Sequence, residues 1–273
     1  MTDTIGVGLV GCGTIGEALA RAIVDGQGGS AALRAVYDRD QDRARTVARF
    51  SQSKVCPSVE AMLDEASVGL VIEAASQSAA TECARLALNR GRSLLIMSTG
   101  ALLIGDTFSE LARLARERNV SLAVPSGAIG CLDTLRAVRA GLERVILTST
   151  KRPEALRGAP GFAAWESKKI EKPVLVYEGP AGAAVRQFPA NVNVAASVSL
   201  AGLGPDRTIA RVVADPAAPG NVHELVASGE FGEFTARFVN RPSQANPKTS
   251  QLAILSALEA LRGVCDGRVR VGS

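Results

Sequence analysis

The stretch Ile5-Gly6-Val7-Gly8-Leu9-Val10-Gly11-Cys12-Gly13-Thr14-Ile15-Gly16-Glu17-Ala18-Leu19-Ala20-Arg21-Ala22-Ile23 decides the fold. Its first six residues read as a short apolar strand, Gly11 to Gly16 as a glycine-rich turn, and the rest as a helix built from good helix formers. Glycine-rich turns are common. One placed between a strand and a helix is the context of the dinucleotide-binding fingerprint G-x-G-x-x-G. In that pattern Gly11 permits the tight turn, Gly13 lets the backbone approach a pyrophosphate, and Gly16 lets the helix pack closely on the strand. Cys12, Thr14 and Ile15 complete the cofactor-binding turn, where the helix N-terminus offers N–H groups to the anion.

Downstream, Leu33-Arg34-Ala35-Val36-Tyr37 reads as a second strand and ends at Asp38, 22 residues after Gly16. A carboxylate there is placed to accept both ribose hydroxyls of the adenosine half of NAD and to repel a 2′-phosphate. Arg39 beside it offsets part of that charge, so NADP stays open as a second cofactor. Alternation of strand and helix continues: strands at 68–72, 93–97 and 120–124, helices at 41–50, 79–89 and 107–118. Strands so continuously apolar are those of a parallel sheet buried on both faces. Each ends in small or polar residues, Glu73-Ala74-Ala75-Ser76-Gln77, Ser98-Thr99-Gly100-Ala101 and Pro125-Ser126-Gly127-Ala128. Because ligands bind at the carboxyl ends of such strands, Ala75, Ser76, Gln77 and Ser98 become candidate cofactor contacts.

Beyond about residue 141 the pattern changes to runs that read as antiparallel strands, at 145–151, 174–177, 208–214 and 230–240. The expected fold class is therefore α/β: a Rossmann-type doubly wound parallel sheet, then a second α+β domain with a mixed or antiparallel sheet. The expected boundaries are 1–128 for the dinucleotide-binding domain, 129–245 for a substrate and dimerisation domain, and 246–273 for a C-terminal helix packing back on the first. A sheet face left uncovered by helices favours a homodimer.

Composition excludes several classes. The 31 Lys and Arg balance 27 Asp and Glu and form no basic block, which argues against nucleic acid. The five cysteines, Cys12, Cys56, Cys83, Cys131 and Cys265, are odd in number and contain no CxxC pair, so neither a disulfide framework nor a metal site is expected. No apolar run approaches the ~20 residues of a membrane span, and the first residues lack a basic leader. A cytoplasmic enzyme is the expectation.

Three polar constellations mark the second half: Phe188-Pro189-Ala190-Asn191-Val192-Asn193 before a helix at 194–202, Asn221-Val222-His223-Glu224, and Asn246-Pro247-Lys248-Thr249-Ser250 opening a helix at 248–261. His223 is the chain's one histidine, hence its one side chain with an unperturbed pKa near neutrality. A lone histidine is more often structural than functional.

Together with the fingerprint, Glu73-Ala74-Ala75-Ser76-Gln77 and Pro125-Ser126-Gly127-Ala128-Ile129-Gly130, these motifs resemble the L-aspartate dehydrogenase family, in family order over nearly the whole chain. One departure stands in Ser98-Thr99-Gly100-Ala101, where the family would place valine at Thr99. The resemblance implies a dimeric enzyme that oxidises L-aspartate to iminoaspartate with NAD or NADP, or aminates oxaloacetate with ammonia in reverse, with a place in NAD biosynthesis. It further implies that His223 is catalytic and that Asn193 and the Gly127-Ala128 turn meet the nicotinamide side of the cofactor. The substrate's two carboxylates need cationic or N–H partners, for which Arg241, Lys248, Thr249 and Ser250, with Asn191, are the candidates. The rivals are a homoserine dehydrogenase-like or dihydrodipicolinate reductase-like enzyme, whose second-domain motifs are missing, and a non-catalytic NAD sensor.

Overall fold

A computed structural model of the chain describes residues 4–189, 192–241 and 250–266. Two compact units divide the chain: Met1–Pro125 with Ile254–Ser273, and Ser126–Ala253.

In the first unit, elements follow as β1 (Ile5–Val10), α1 (Thr14–Val24), β2 (Ala31–Tyr37), α2 (Gln41–Ser51), β3 (Lys54–Val55), α3 (Val59–Leu63), β4 (Leu70–Glu73), α4 (Gln77–Asn89), β5 (Ser93–Ile96), α5 (Thr107–Arg118) and β6 (Leu122–Ala123). The strands form one sheet in the order β3-β2-β1-β4-β5-β6, every pairing parallel. The order reverses at β1, which lies between β2 and β4, and a ligand crevice opens outside the strand ends at such a reversal. All four residues of β4 are buried, as a central strand covered on both faces requires. The strand expected at 120–124 shrinks to the two residues of β6, because only Leu122 and Ala123 find partners on edge-neighbour β5.

The described part of the last helix, α9 (Gln251–Asp266), adds Ala257, Leu258 and Leu261 to the core that holds Leu19, Ile23, Leu33 and Val36. Burying a leucine fully stabilises by roughly 2 kcal/mol. Its far end is tied to the α1–β2 connection, where Arg262 Nε donates to the Gln27 carbonyl at 2.7 Å and Ser30 N donates to Asp266.

The second unit contains α6 (Leu132–Ala137), β7 (Leu142–Lys151), β8 (Val174–Pro180), α7 (Ala181–Gln187), α8 (Asn193–Ala201), β9 (Ile209–Ala214), β10 (Asn221–Gly229) and β11 (Gly232–Asn240). Its sheet runs β11-β10-β7-β9-β8. The sheet is the mixed form of the expected mixed or antiparallel sheet, since β7 and β9 pair in parallel while β10 and β8 pair antiparallel to them. The strand bounds are corrected. Asn221-Val222-His223-Glu224, absent from the expected strands, opens β10, and Glu230 and Phe231 turn the β10–β11 hairpin instead of beginning its second strand.

Side chains alternate across a strand, so direct partners share a face. Val145, Leu147, Ser149 and Lys151 of β7 thus share one face with His223, Leu225 and Ala227 of β10 and with Phe234, Ala236, Phe238 and Asn240 of β11. That face is apolar at one end and polar at the other, where Ser149, Lys151, His223 and Asn240 all lie buried. Leu175 and Val239 are exposed on the opposite face.

Candidate active site

In the first unit the site is built by the glycine turn and the strand ends beside it. Gly11 takes φ +93°, and a Cβ there would come within 2.6 Å of the Ala74 and Ala75 backbone, so side chain and backbone conformation are both forbidden. At Gly16 a Cβ would stand 1.8 Å from the Gly11 carbonyl oxygen, which is the close helix–turn packing expected of it. Gly13 differs: a Cβ there would meet nothing nearer than Arg43 Nη1 at 3.9 Å. The protein's own packing leaves that position open, toward a cavity of about 440 Å³ that Gly13 lines together with Gly11, Asp38, Arg39, Ala75 and Ser76.

Asp38 is held in place before any ligand arrives. Its Oδ2 accepts from Cys12 N at 2.7 Å and its Oδ1 from Asp40 N at 2.8 Å. It therefore ties the end of β2 to the glycine turn as well as facing the cavity. Cys12 contributes that N–H and no reactive thiol, because burial first, then the charges of Asp38 and Glu17, push the thiol up to about 12. Thr14 and Ile15 stand in the first turn of α1, whose N-cap, Gly13, has no side chain to cap it.

On the far side of the switch point Glu73, fully buried, receives Ala75 N at 2.8 Å, Ser98 N at 3.0 Å and Ser98 Oγ at 2.8 Å. One carboxylate thereby fixes the loops after β4 and β5. Burial raises its pKa, and the hydrogen bonds from Ser98 and Ala75 oppose the rise. Ser98 thus spends its hydroxyl on Glu73. Ser76 precedes α4 and Gln77 begins it. The sequence reading did not mark Arg43, Ser58 or Glu60, which also line the cavity; only the tertiary placement of α2 and α3 brings them there.

The second unit holds His223 at the polar end of its sheet face. The ring is 2% exposed, and Nδ1 lies 2.9 Å from Ser149 Oγ, its direct partner on β7. Lys151, two residues along the same strand face and 7% exposed, makes no hydrogen bond or ion pair through its ammonium among the described residues. Burial, and then the Lys151 charge, push the imidazole down to about 3; burial alone brings Lys151 down to about 8. His223 is therefore neutral at neutral pH, with one nitrogen pinned and the other available. Phe238 stands opposite it on β11.

Beside this pair, Asn240 Nδ2 donates to the Ala128 carbonyl at 3.0 Å and Asn240 Oδ1 accepts from Ser250 Oγ at 2.9 Å. The Gly127-Ala128 turn, with Gly127 at φ +73°, is thus anchored to the end of β11. Ser250 directs its hydroxyl proton at Asn240. Arg241 follows directly, exposed, its carbonyl accepting from Gln251 N at 3.1 Å. Asn193 is the exposed first residue of α8. Asn191, Lys248 and Thr249 lie outside the described residues.

Neither Ser149 nor Lys151 was marked by the sequence reading, although period-two alternation along 145–151 puts both on the face of Val145 and Leu147. No group of three or more His, Cys, Asp or Glu side chains arranged to hold a metal occurs among the described residues. No described helix is long and apolar enough to cross a membrane.

A parallel sheet whose switch point carries a glycine turn, an acid at the end of β2 and an open Gly13 fits a dinucleotide, and with the mixed second sheet it defines the NAD-dependent oxidoreductases. Comparison with known proteins agrees: residues 11–125 match the family model described as Homoserine dehydrogenase, NAD binding domain, and residues 133–264 match Aspartate dehydrogenase, C-terminal. The L-aspartate dehydrogenase of Methanocella arvoryzae is 45% identical over 95% of this chain and 97% of its own length. That of Methanosarcina acetivorans is 43% identical over 98% and 99%. The crystal structure of aspartate dehydrogenase from Thermotoga maritima superposes with a TM-score of 0.75 over 98% of both chains at 22% identity, a likeness of fold. The chain belongs to the L-aspartate dehydrogenase family.

Proposed function

We propose that the chain oxidises L-aspartate to iminoaspartate with NAD, and aminates oxaloacetate in the reverse direction. The observation that carries the reading is the Ser149–His223 pair, a buried neutral imidazole held by one nitrogen at the end of a sheet face. Bound NAD supplies the acceptor for the substrate's α-hydrogen, which leaves as hydride. What the chain must do is uncover the nitrogen lone pair that assists this departure. His223, through the ring nitrogen that Ser149 does not engage, accepts a proton from the substrate ammonium. In the reverse direction the same atom returns that proton to the amine.

Gly11, Gly13 and the start of α1 are assigned the pyrophosphate and Asp38 the adenosine ribose, with Asn193 and the Gly127-Ala128 turn on the nicotinamide side. Arg241 and the segment containing Lys248 and Thr249 are assigned to substrate carboxylates, and Asn191 to the substrate. We assign the chain to the cytoplasm as a homodimer that uses the sheet face bearing Leu175 and Val239, with iminoaspartate passed to NAD biosynthesis.

Absorbance at 340 nm with L-aspartate and NAD, set against a panel of other L-amino acids and hydroxy acids, tests the activity. Tight NAD binding with silence on every substrate would favour a sensor instead. Asp38→Ala is expected to raise the NADP-to-NAD ratio of kcat/KM, since the carboxylate that repels a 2′-phosphate is gone. An unchanged ratio would mean that Asp38 serves only to brace Cys12 and Asp40.

A further inference from the structure

Lys151 is a buried charged group to which no described residue gives a counter-charge. Its stem rises from the last residue of β7, about 7 Å along the strand from Ser149 by the ordinary strand rise, and on the same side as the His223 ring. Burying a cation is costly unless an anion accompanies it. The acids adjacent in the sheet are committed elsewhere. Glu224, next to His223, projects from the opposite face and is exposed, and Asp215, whose N–H donates to the Lys151 carbonyl, gives its own carboxylate to Ala217 N at 2.8 Å. Asn240, also at this end of the face, donates to Ala128 and accepts from Ser250, and being uncharged supplies no counter-ion.

We propose that Lys151 is a substrate-binding residue whose ammonium receives one carboxylate of the dicarboxylate substrate. The ligand supplies the missing counter-ion, and the pairing places the substrate beside the free nitrogen of His223. It has a second consequence for catalysis. Lys151 is the one charged group among the described residues whose field bears on the imidazole, with Ser149 and Phe238 its neutral neighbours in the sheet. A bound carboxylate cancels that field, so the ring becomes a better base when substrate is present. The residue thus couples occupancy of the site to the readiness of the acid–base group.

The inference rests on the L-aspartate reading, and two measurements separate their failures. In steady-state assays Lys151→Met is expected to raise the KM for L-aspartate by about 100-fold, the loss of one buried charge-assisted pair, with the KM for NAD nearly unchanged. Lys151→Arg, which keeps a cation, should recover most of that loss. If Lys151 were instead the proton acceptor, Arg would be as inactive as Met and the defect would fall on kcat; that result overturns the proposal. Independently of turnover, the chain's one histidine gives a single imidazole NMR signal. Succinate, a dicarboxylate without an amine, should shift that signal and raise its pKa in the wild-type chain and do neither in Lys151→Met. Equal succinate binding by both proteins also overturns the proposal. Absence of aspartate oxidation by the wild type refutes the substrate reading alone. Removing an uncompensated buried charge is not expected to impair folding, and thermal melting of each variant checks this.

Discussion

Replacing His223 by alanine lowers kcat for L-aspartate oxidation by roughly 10²–10⁴-fold, the usual contribution of a positioned acid–base group, while NAD affinity stays close to that of the wild type. The split follows from where the ring sits. His223 belongs to the second unit's sheet, whereas the glycine turn and Asp38 that define the dinucleotide cavity belong to the first. Alanine also leaves a void and strands Ser149 Oγ, so a folded control is needed; His223→Gln keeps most of the volume and a hydrogen-bonding group toward Ser149. Both variants should share the kcat defect. NAD affinity is read by fluorescence titration and kcat at saturating aspartate, and near-wild-type kcat in the glutamine variant would remove His223 from the mechanism.

Gly13→Val is expected to abolish productive NAD binding without unfolding the chain. Gly13 has φ −75° and ψ −164°, an extended conformation that valine adopts readily, and no protein atom lies within 3.9 Å of an added Cβ. The branched side chain instead occupies the space into which the pyrophosphate would settle. Exclusion of the pyrophosphate from the N–H groups of the turn corresponds to an affinity drop on the order of 100-fold or more. Melting in the absence of NAD should match the wild type, and the stabilisation that NAD confers on the wild type should vanish. Gly16→Ala makes the contrast: a Cβ 1.8 Å from the Gly11 carbonyl forces helix and turn apart, so the ligand-free protein itself should melt earlier. A Gly13→Val protein that still gained stability from NAD would show that the turn does not cradle the cofactor.

The first unit was largely legible because its signals are local. An apolar run, a glycine turn and a helix former sequence fall within residues 5–23, and Asp38 follows at a distance that βα geometry dictates. The second unit was less so. Its strand order, with β7 parallel to β9 and antiparallel to β10, depends on pairings between residues more than sixty positions apart, which no window of sequence reports. Strand β10 was missed because His223 and Glu224 interrupt an otherwise apolar stretch with two charged-type residues on opposite faces. Once β10 and β7 are aligned, Ser149 becomes the partner of His223 and Lys151 its charged neighbour. Alternation alone would have shown Lys151 on the buried face of β7, but not that the described residues leave it without a carboxylate.

The core of the first unit is closed by α9, whose Ala257, Leu258 and Leu261 pack among residues from α1 and β2. During synthesis this core stays incomplete until the ribosome has made the whole intervening unit, Ser126–Ala253. At common elongation rates of about 5–20 residues per second that interval is on the order of ten seconds. The contiguous second unit can complete its own sheet first, while the nascent dinucleotide domain exposes the apolar groove that α9 will fill. A chain interrupted within α9 would therefore lose the cofactor-binding unit before the unit that carries the histidine.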